Sequence, residues 1–130
     1  MAQLFSPLEK GNSPIMSQAT PKRLLTYLTN QDVCPFDDWL DSLKDQRAVA
    51  QIQKRLIRVE LGNLGDFKSV GEGVYELRIF YASGFRIYFG QQGSDIVILL
   101  CGGDKSTQSK DILLAKKYWA DFVKRRRANG

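Results

Sequence analysis

The stretch that decides the fold is VYELRIFYASGFRIYF, residues 74–89, in which apolar and polar side chains alternate on both sides of a glycine-containing turn. Alternation with a period of two is typical of β-strands with one buried face, so the stretch predicts a β-hairpin. Its second face gathers charged and hydroxyl groups where a water-facing strand usually carries scattered polar residues: Glu76, Arg78, Arg86 and Tyr88.

The alternation also predicts a register for this hairpin and for the one before it. Cross-strand partners share a face of the sheet, so Tyr81 should pair with Phe85 across a three-residue loop that ends in Gly84. By the same argument, residues 71–73 should form a three-residue loop with Gly73 in the left-handed conformation that such loops need.

This register predicts a polar patch on the open face of the sheet, away from the aromatic core. It pairs the polar side chains of three strands as Lys68 opposite Glu76, Arg78 opposite Tyr88, and Arg86 opposite Phe80. Three cations and one carboxylate leave excess positive charge, so the cluster repels itself when no ligand is bound. On rigid strands such a cluster could hold a phosphodiester. The alternative is a solvent-exposed face that carries ordinary ion pairs.

The apolar spacing outlines the other elements. Strands are predicted at residues 23–29, 67–71, 74–81, 85–90 and 95–101, the last one as a central strand covered on both faces. Three- and four-residue spacing over residues 36–61 predicts an amphipathic helix or helical pair, with a bend at LKDQRA and a stop at GNLGD. A last helix is expected over about residues 108–125, capped by Ser106 or Thr107.

This order of elements predicts an α+β domain in which a curved, mainly antiparallel sheet packs one face on the N-terminal helices and a C-terminal helix closes the chain. We expect residues 1–21 to form a flexible leader, residues 22–126 a single domain, and residues 127–130 the end of a basic tail.

Composition narrows the chemistry. The 130 residues carry a net charge of +5, which favours anionic partners, and include two cysteines but no histidine. The absence of histidine excludes Ser-His-Asp and Cys-His catalysis, and the spacing of Cys34 and Cys101 fits neither a metal site nor a disulfide framework. We therefore expect reduced thiols, no metal and no cofactor. No apolar run approaches the roughly 18 residues of a membrane span. Reduced thiols are the default in a cytosolic protein.

Three segments carry a family resemblance: PFDDWLDSL (35–43), RVELGNLGDFKSVGEGVYELRIFYASGFRIYF (58–89) and ILLCGGDKSTQSKDILLAKKYW (98–119). They resemble the addiction-module killer proteins, the HigB-like branch of the RelE/ParE toxin superfamily, over about residues 24–120. The resemblance implies a RelE-like fold and a cytoplasmic type II toxin. It also implies neutralisation by a protein antitoxin, expected to be a small helix-turn-helix protein encoded beside the toxin. The usual activity of such toxins is ribosome-dependent cleavage of mRNA.

The resemblance also implies site residues. It carries over Lys68 from FKSVG, Arg78 from ELRI, Arg86 from FRIYF and Lys105 from GGDK. Members often use a late tyrosine or histidine, a position that differs here, so Tyr88, Lys105 or Tyr118 is the candidate proton donor. Glu76, if its pKa is raised, or Lys68 is the candidate general base.

Two questions stay open at this point. The last helix could bind RNA, or it could simply end in a solvated basic turn that suits the helix dipole. The candidate RNA-binding residues are Lys116, Lys117, Lys124, Arg125 and Arg126. The chain could also be a ParE-like inhibitor that binds gyrase without catalysis, or an inactive relative that binds only its antitoxin.

Overall fold

The computed structural model of the protein describes residues 2–5 and 20–129. In this part the strands are β1 (Ala2–Phe5), β2 (Arg23–Tyr27), β3 (Phe67–Gly71), β4 (Val74–Ile79), β5 (Phe85–Gln92) and β6 (Ile96–Asp104). The helices are α1 (Pro35–Ser42), α2 (Gln46–Glu60) and α3 (Gln108–Asn129), and a 3-10 turn, Lys105–Thr107, leads into α3. Among these residues no helix is both long and apolar enough to cross a membrane.

The strands form one mixed sheet in the order β1-β2-β6-β5-β4-β3. Strands β2 and β6 run parallel, and the other neighbouring pairs are antiparallel. The predicted α+β class is therefore confirmed, and β6 is central and almost wholly buried as expected. Strand β1 lies within the predicted leader, but residues 1 and 6–19 fall outside the described residues, so the flexible leader stays a prediction.

Helices cover both faces of the sheet. On one face, α1 and α2 bury Phe36, Ile52 and Leu56 against alternate residues of the central strands. On the other, α3 buries Ala115 and Phe122 against the remaining residues of the same strands. The face predicted to be open is thus partly covered by α3, because the strand residues there include apolar groups that need a partner.

The breaks between the N-terminal elements follow the local sequence. Pro35 occupies the first turn of α1, where its missing N–H costs nothing. The Asp45 side chain accepts hydrogen bonds from the first-turn N–H groups of α2, which explains why the chain bends at LKDQRA. Gly62, at φ 96°, lies in the left-handed region just after α2, as the predicted stop requires.

The β3–β4 hairpin has the predicted partners but a different turn. Lys68 lies opposite Glu76, which confirms the register. The turn contains two residues, Glu72 and Gly73, both with positive φ, instead of the predicted three. A bulge between Ser69 and Gly71 absorbs the extra residue, and so the buried faces of the two strands stay matched.

The β4–β5 hairpin corrects the prediction that Tyr81 pairs with Phe85. Strand β4 ends at Ile79, which pairs with Phe85, and residues 80–84 form a five-residue loop that ends in left-handed Gly84. The slip is two residues, so every side chain keeps its predicted face while its partner changes. The predicted pairs Arg78–Tyr88 and Arg86–Phe80 are wrong: in the structure the cross-strand pairs of the polar face are Arg78 with Arg86 and Glu76 with Tyr88.

The start of α3 also differs from the prediction. Asp104, rather than Ser106 or Thr107, caps the 3-10 turn that precedes the helix, and Thr107 completes the capping box by bonding back to the Asp104 backbone N–H. The Asp104 carboxylate accepts from the Ser106 N–H at 2.9 Å. This cap fixes the direction in which α3 leaves β6, and with it the position of Gln108 over the polar face of the sheet.

Candidate functional site

A buried carboxylate forms the centre of the polar face. The Glu76 side chain is fully buried, and its Oε1 accepts a hydrogen bond from Arg78 Nε at 3.3 Å. Lys68 Nζ lies 4.0 Å from the same oxygen. One oxygen of Glu76 is therefore shared by a cation from β3 and a cation from β4.

The second oxygen of Glu76 is equally engaged. Oε2 accepts from the Tyr88 hydroxyl at 3.0 Å and from Gln108 Nε2 at 2.8 Å. Arg86 Nε lies 3.7 Å away, at ion-pair distance without a hydrogen bond. The carboxylate thus ties β5 and the first residue of α3 to the same point, and it offsets one of the three neighbouring cationic charges.

These contacts decide the protonation of Glu76. Burial alone would raise the pKa of this carboxyl, but the hydrogen bonds from Gln108, Tyr88 and Arg78 outweigh burial and lower it. A general base at this position would need a raised pKa and a free oxygen, and the structure provides neither. The condition on which Glu76 was a candidate base is therefore not met.

Tyr88 is a poor candidate for the proton donor. Its ring and hydroxyl are buried, and burial together with the Glu76 charge strongly raises the pKa of the phenol. The hydroxyl proton already bonds to Glu76. Tyr88 therefore holds the carboxylate in place beneath the surface.

The arginines reach the surface in one groove. This groove has a volume of about 440 Å³ and is lined by Arg78, Arg86, Lys105 and the β4–β5 loop. The side chain of Arg78 is 33% exposed and that of Arg86 is 12% exposed, so both can meet a ligand while Glu76 orients them from below. A groove with three cationic groups on fixed backbone elements can bind a phosphate and stabilise extra charge on its oxygens.

Lys68 lies beside this groove without lining it. Its side chain is 52% exposed, and it reaches the Glu76 oxygen that also receives Arg78. Of the six predicted catalytic residues, three line the groove, two lie buried beneath it, and Lys68 stands at its edge.

The predicted RNA-binding residues of α3 lie elsewhere. Lys124 follows Gln108 by sixteen positions, which corresponds to about 24 Å along a helix. Arg125 bonds to Asp121 and to the Leu28 carbonyl, at 2.6 Å for the latter, and lies over the Tyr27 ring. The Arg125 side chain therefore serves contacts within the protein.

Two more of the five predicted residues, Lys116 and Arg126, also make contacts within the protein. Lys116 Nζ lies 3.4 Å from Glu72 in the β3–β4 turn. The Gln92 amide, with its oxygen turned toward α3, accepts from the Arg126 guanidinium. Lys117 and Lys124 are exposed.

Two residues of the site were missed at the sequence level. Gln108 reads as an ordinary polar residue at the start of a helix, and only its position over the sheet brings it to Glu76. Phe80 was expected within β4, yet it begins the loop and is 78% exposed. The alternating pattern of β4 continues past its last paired residue, so it does not indicate that Phe80 leaves the strand. Nothing in the local sequence indicates that Gln108 lies over the sheet.

Neither cysteine nor acidic side chains form a metal site in residues 20–129, where no three candidate ligands come together. Cys34 and Cys101 are both free thiols, and burial raises the pKa of Cys101 to about 12. The thiols contribute to packing on opposite faces of the sheet.

Comparison with known proteins supplies the family. The model of the family "Phage derived protein Gp49-like (DUF891)" matches residues 38–119, from the middle of α1 to the middle of α3. The chain belongs to the Gp49-like family. This is a RelE-like, toxin-type family, so the expected superfamily is supported, while the narrower HigB-like assignment stays a prediction. The Gp49-like match spans every predicted catalytic residue, from Lys68 to Lys105.

A relative from Haemophilus influenzae is 56% identical over 81 residues, which is 62% of this chain and 82% of the relative. That protein is described as an uncharacterized protein. This relative therefore adds no activity to this Gp49-like chain.

Proposed function

We propose that this Gp49-like protein is a HigB-like toxin of a type II toxin–antitoxin module that cuts mRNA on the ribosome. The observation that carries the proposal is the groove in which Arg78, Arg86 and Lys105 converge above a buried, ionised Glu76. A protein that only bound a partner would have no reason to orient two arginines from beneath with a buried carboxylate. Family membership supports the toxin class independently.

The proposed reaction is attack of a ribose 2′-hydroxyl on the adjacent phosphorus, with departure of the 5′-oxygen. The phosphate oxygens gain negative charge in the transition state, and Arg78 and Arg86 stabilise that charge from fixed positions. Each preorganised donor of this kind is typically worth about 3–4 kcal/mol. Because Glu76 already sets the arginine side chains, little reorganisation accompanies the reaction.

Proton transfer falls to the exposed lysines in this proposal. In the proposed step the neutral-amine form of Lys68 accepts the proton of the 2′-hydroxyl and becomes the ammonium, because both Glu76 oxygens are engaged. Lys105, exposed at the groove rim, returns a proton to the leaving 5′-oxygen. Glu76 and Tyr88 act as positioning residues, and the reaction as proposed uses no metal or other cofactor.

The proposed partners follow from the charge of the groove. The groove is too small to read a long sequence, so the ribosome must present the message to it. An antitoxin, proposed to be a small helix-turn-helix protein from a neighbouring gene, neutralises the toxin by covering the cationic groove with an acidic or amphipathic segment. Both partners suit a protein that acts in the cytoplasm.

The test is in vitro translation of a defined message, followed by primer extension to locate cuts. We expect translation to stop and cuts to appear in ribosome-bound mRNA, with few in the same RNA free in solution. The matched control is the Arg78→Ala/Arg86→Ala double variant, which should leave the message intact. Inhibited DNA supercoiling together with normal translation would place the protein with the gyrase inhibitors instead.

A further inference from the structure

Phe80 is an exposed aromatic side chain at the edge of the cationic groove. It follows the last residue of β4 and is 78% exposed, the highest exposed fraction among the exposed large apolar side chains of the described residues. The neighbouring aromatic residues Tyr81 and Phe85 pack against the core beneath α1 and α2. A phenyl ring left in water beside two partly buried aromatic residues forgoes the gain of burial, so a ligand that covers it would be favoured.

Phe80 stands between two grooves. The first is the groove of Arg78, Arg86 and Lys105 described above. The second has a volume of about 240 Å³ and lies between the end of α2, the loop after it and β4. Phe80 and Arg78 line both grooves, so the two grooves adjoin at the ring.

The second groove offers its own cation. Arg55 is buried there and bonds to the backbone carbonyls of Arg78, Leu64 and Asp66, so it holds the groove in shape. Arg58, one helical turn later, lies on the same groove and is exposed. An anionic chain that crosses Phe80 therefore meets positive charge on both sides of the ring.

The loop that carries Phe80 is ordered by its own contacts. The Tyr81 N–H donates to Ile79 O at 3.1 Å, and the Gly84 N–H donates to Tyr81 O at 2.9 Å. The Tyr81 hydroxyl also reaches the Asp45 carboxylate at 3.3 Å, which ties the loop to the start of α2. A ligand that stacks on Phe80 therefore pays little for ordering the loop.

We propose that Phe80 is the stacking platform for a nucleobase next to the scissile phosphate, and that the RNA strand continues past it toward Arg58. This inference rests on the proposed RNA cleavage. An aromatic face flanked by cations on both sides is the arrangement by which proteins bind single-stranded nucleic acid, with bases on the ring and phosphates on the cations. A single isolated ring between two polar grooves offers too little continuous apolar area for a protein helix, which needs several anchors in a row.

The first test compares Phe80→Ala, Phe80→Leu and Phe80→Trp in single-turnover cleavage of ribosome-bound mRNA. Loss of base stacking should raise the toxin concentration needed for half-maximal rate by roughly 5- to 150-fold in the alanine variant. Leucine keeps apolar area without a π face and should resemble alanine, whereas tryptophan should remain close to the wild type. Leu113→Ala is the matched control, because Leu113 is 70% exposed on α3, lines neither groove, and should change nothing.

The second test removes the base instead of the ring. Messages with an abasic nucleotide on either side of the cut are compared with the intact message, for wild type and Phe80→Ala. If the base stacks on Phe80, one abasic position should slow the wild type and leave the alanine variant no slower than before. A ring that only supported the loop would give additive losses and a lower unfolding temperature.

Three further outcomes would overturn the inference. Wild-type activity in a folded Phe80→Ala variant would remove the stacking role and leave the proposed cleavage intact. Weaker antitoxin binding with normal cleavage would assign Phe80 to the protein partner. Absence of cleavage by the wild type itself would overturn the proposed function, and the inference with it.

Discussion

The polar face of β3, β4 and β5 and the helix α3 both carry several cations, but they hold them in different ways. On the sheet, Lys68, Arg78 and Arg86 converge on one fully buried carboxylate. On the helix, each paired cation has a separate partner, as in Arg125 with Asp121 and Lys116 with Glu72. The sheet therefore concentrates positive charge above Glu76, whereas the helix distributes it over contacts that fasten α3 to the domain.

This difference teaches that a run of basic residues in the sequence does not predict where cations converge in the structure. The helix sequence KRRR is the most basic stretch of the chain, yet Arg125 and Arg126 are occupied by intramolecular acceptors. The sheet cations Lys68, Arg78 and Arg86 are separated by eight or more positions in sequence. All three nevertheless lie beside the carboxylate of Glu76. Convergence on a common anion, rather than local density in the sequence, places several cations within reach of one ligand.

The largest expected effect is on the sheet arginines. Arg78→Ala and Arg86→Ala should each slow single-turnover cleavage by about 10²–10³-fold, because each removes one transition-state donor. Lysine at either position should restore only part of the rate, since it lacks the planar two-pronged contact. Single-turnover cleavage and thermal unfolding should be measured on the same preparations.

Stability must be followed because Arg86 is nearly buried and pairs with Glu76. Its loss leaves the carboxylate less compensated and should cost about 1–3 kcal/mol of unfolding free energy. Rates are therefore compared at a temperature where every variant is folded. Full activity of a stably folded double variant would reduce the sheet cluster to a structural ion-pair network.

A middle-sized effect is expected at the centre of the cluster. Glu76→Gln preserves the shape of the side chain but leaves two arginines and a tyrosine without their buried acceptor charge. We expect the free energy of unfolding to fall by about 1–3 kcal/mol at neutral pH, as measured by denaturant titration. The control is Glu72→Gln, whose carboxylate is 72% exposed and whose loss should change the free energy by no more than about 1 kcal/mol.

The same variant has a diagnostic pH dependence. The pKa of Glu76 is lowered in the folded protein, so its contribution is fully present above the ordinary glutamate pKa of about 4.3. That contribution is lost as the pH falls from there through the lower pKa of the folded state. The gap between wild type and Glu76→Gln should therefore be constant at higher pH and close in acid, and parallel curves would contradict the assignment.

The smallest effect on activity is expected at the helix end. Arg125→Ala should lower the free energy of unfolding by about 1 kcal/mol, since it removes a partly exposed ion pair and a bond to the Leu28 carbonyl. Cleavage by Arg125→Ala and by Lys124→Ala should stay within about threefold of the wild type. A loss as large as that of Arg86→Ala would show that α3 binds the RNA, and the contrast between the two regions would disappear.

Much of the fold and part of the site follow from the sequence alone. Period-two alternation in residues 74–89 determined which residues of β4 and β5 face α1 and α2, because neighbouring side chains of a strand must point to opposite faces. Together with the predicted register of the β3–β4 hairpin, it also placed the polar residues of the three strands on one face: Lys68, Glu76, Arg78, Arg86 and Tyr88. The bend between α1 and α2 was visible as well, in the segment LKDQRA, whose Asp45 caps α2 in the structure.

Tertiary structure decided the rest. Alternation is unchanged by a two-residue slip, so the sequence could not choose between Tyr81 and Ile79 as the partner of Phe85, and only packing of the five-residue loop did so. The burial of Glu76 depends on Gln108, which reaches it across a separation of 32 positions once α3 packs over the sheet. A residue type and its spacing determine which face a side chain occupies; the helix that packs over that face determines whether the same carboxylate is a solvated base or a buried, ionised anchor.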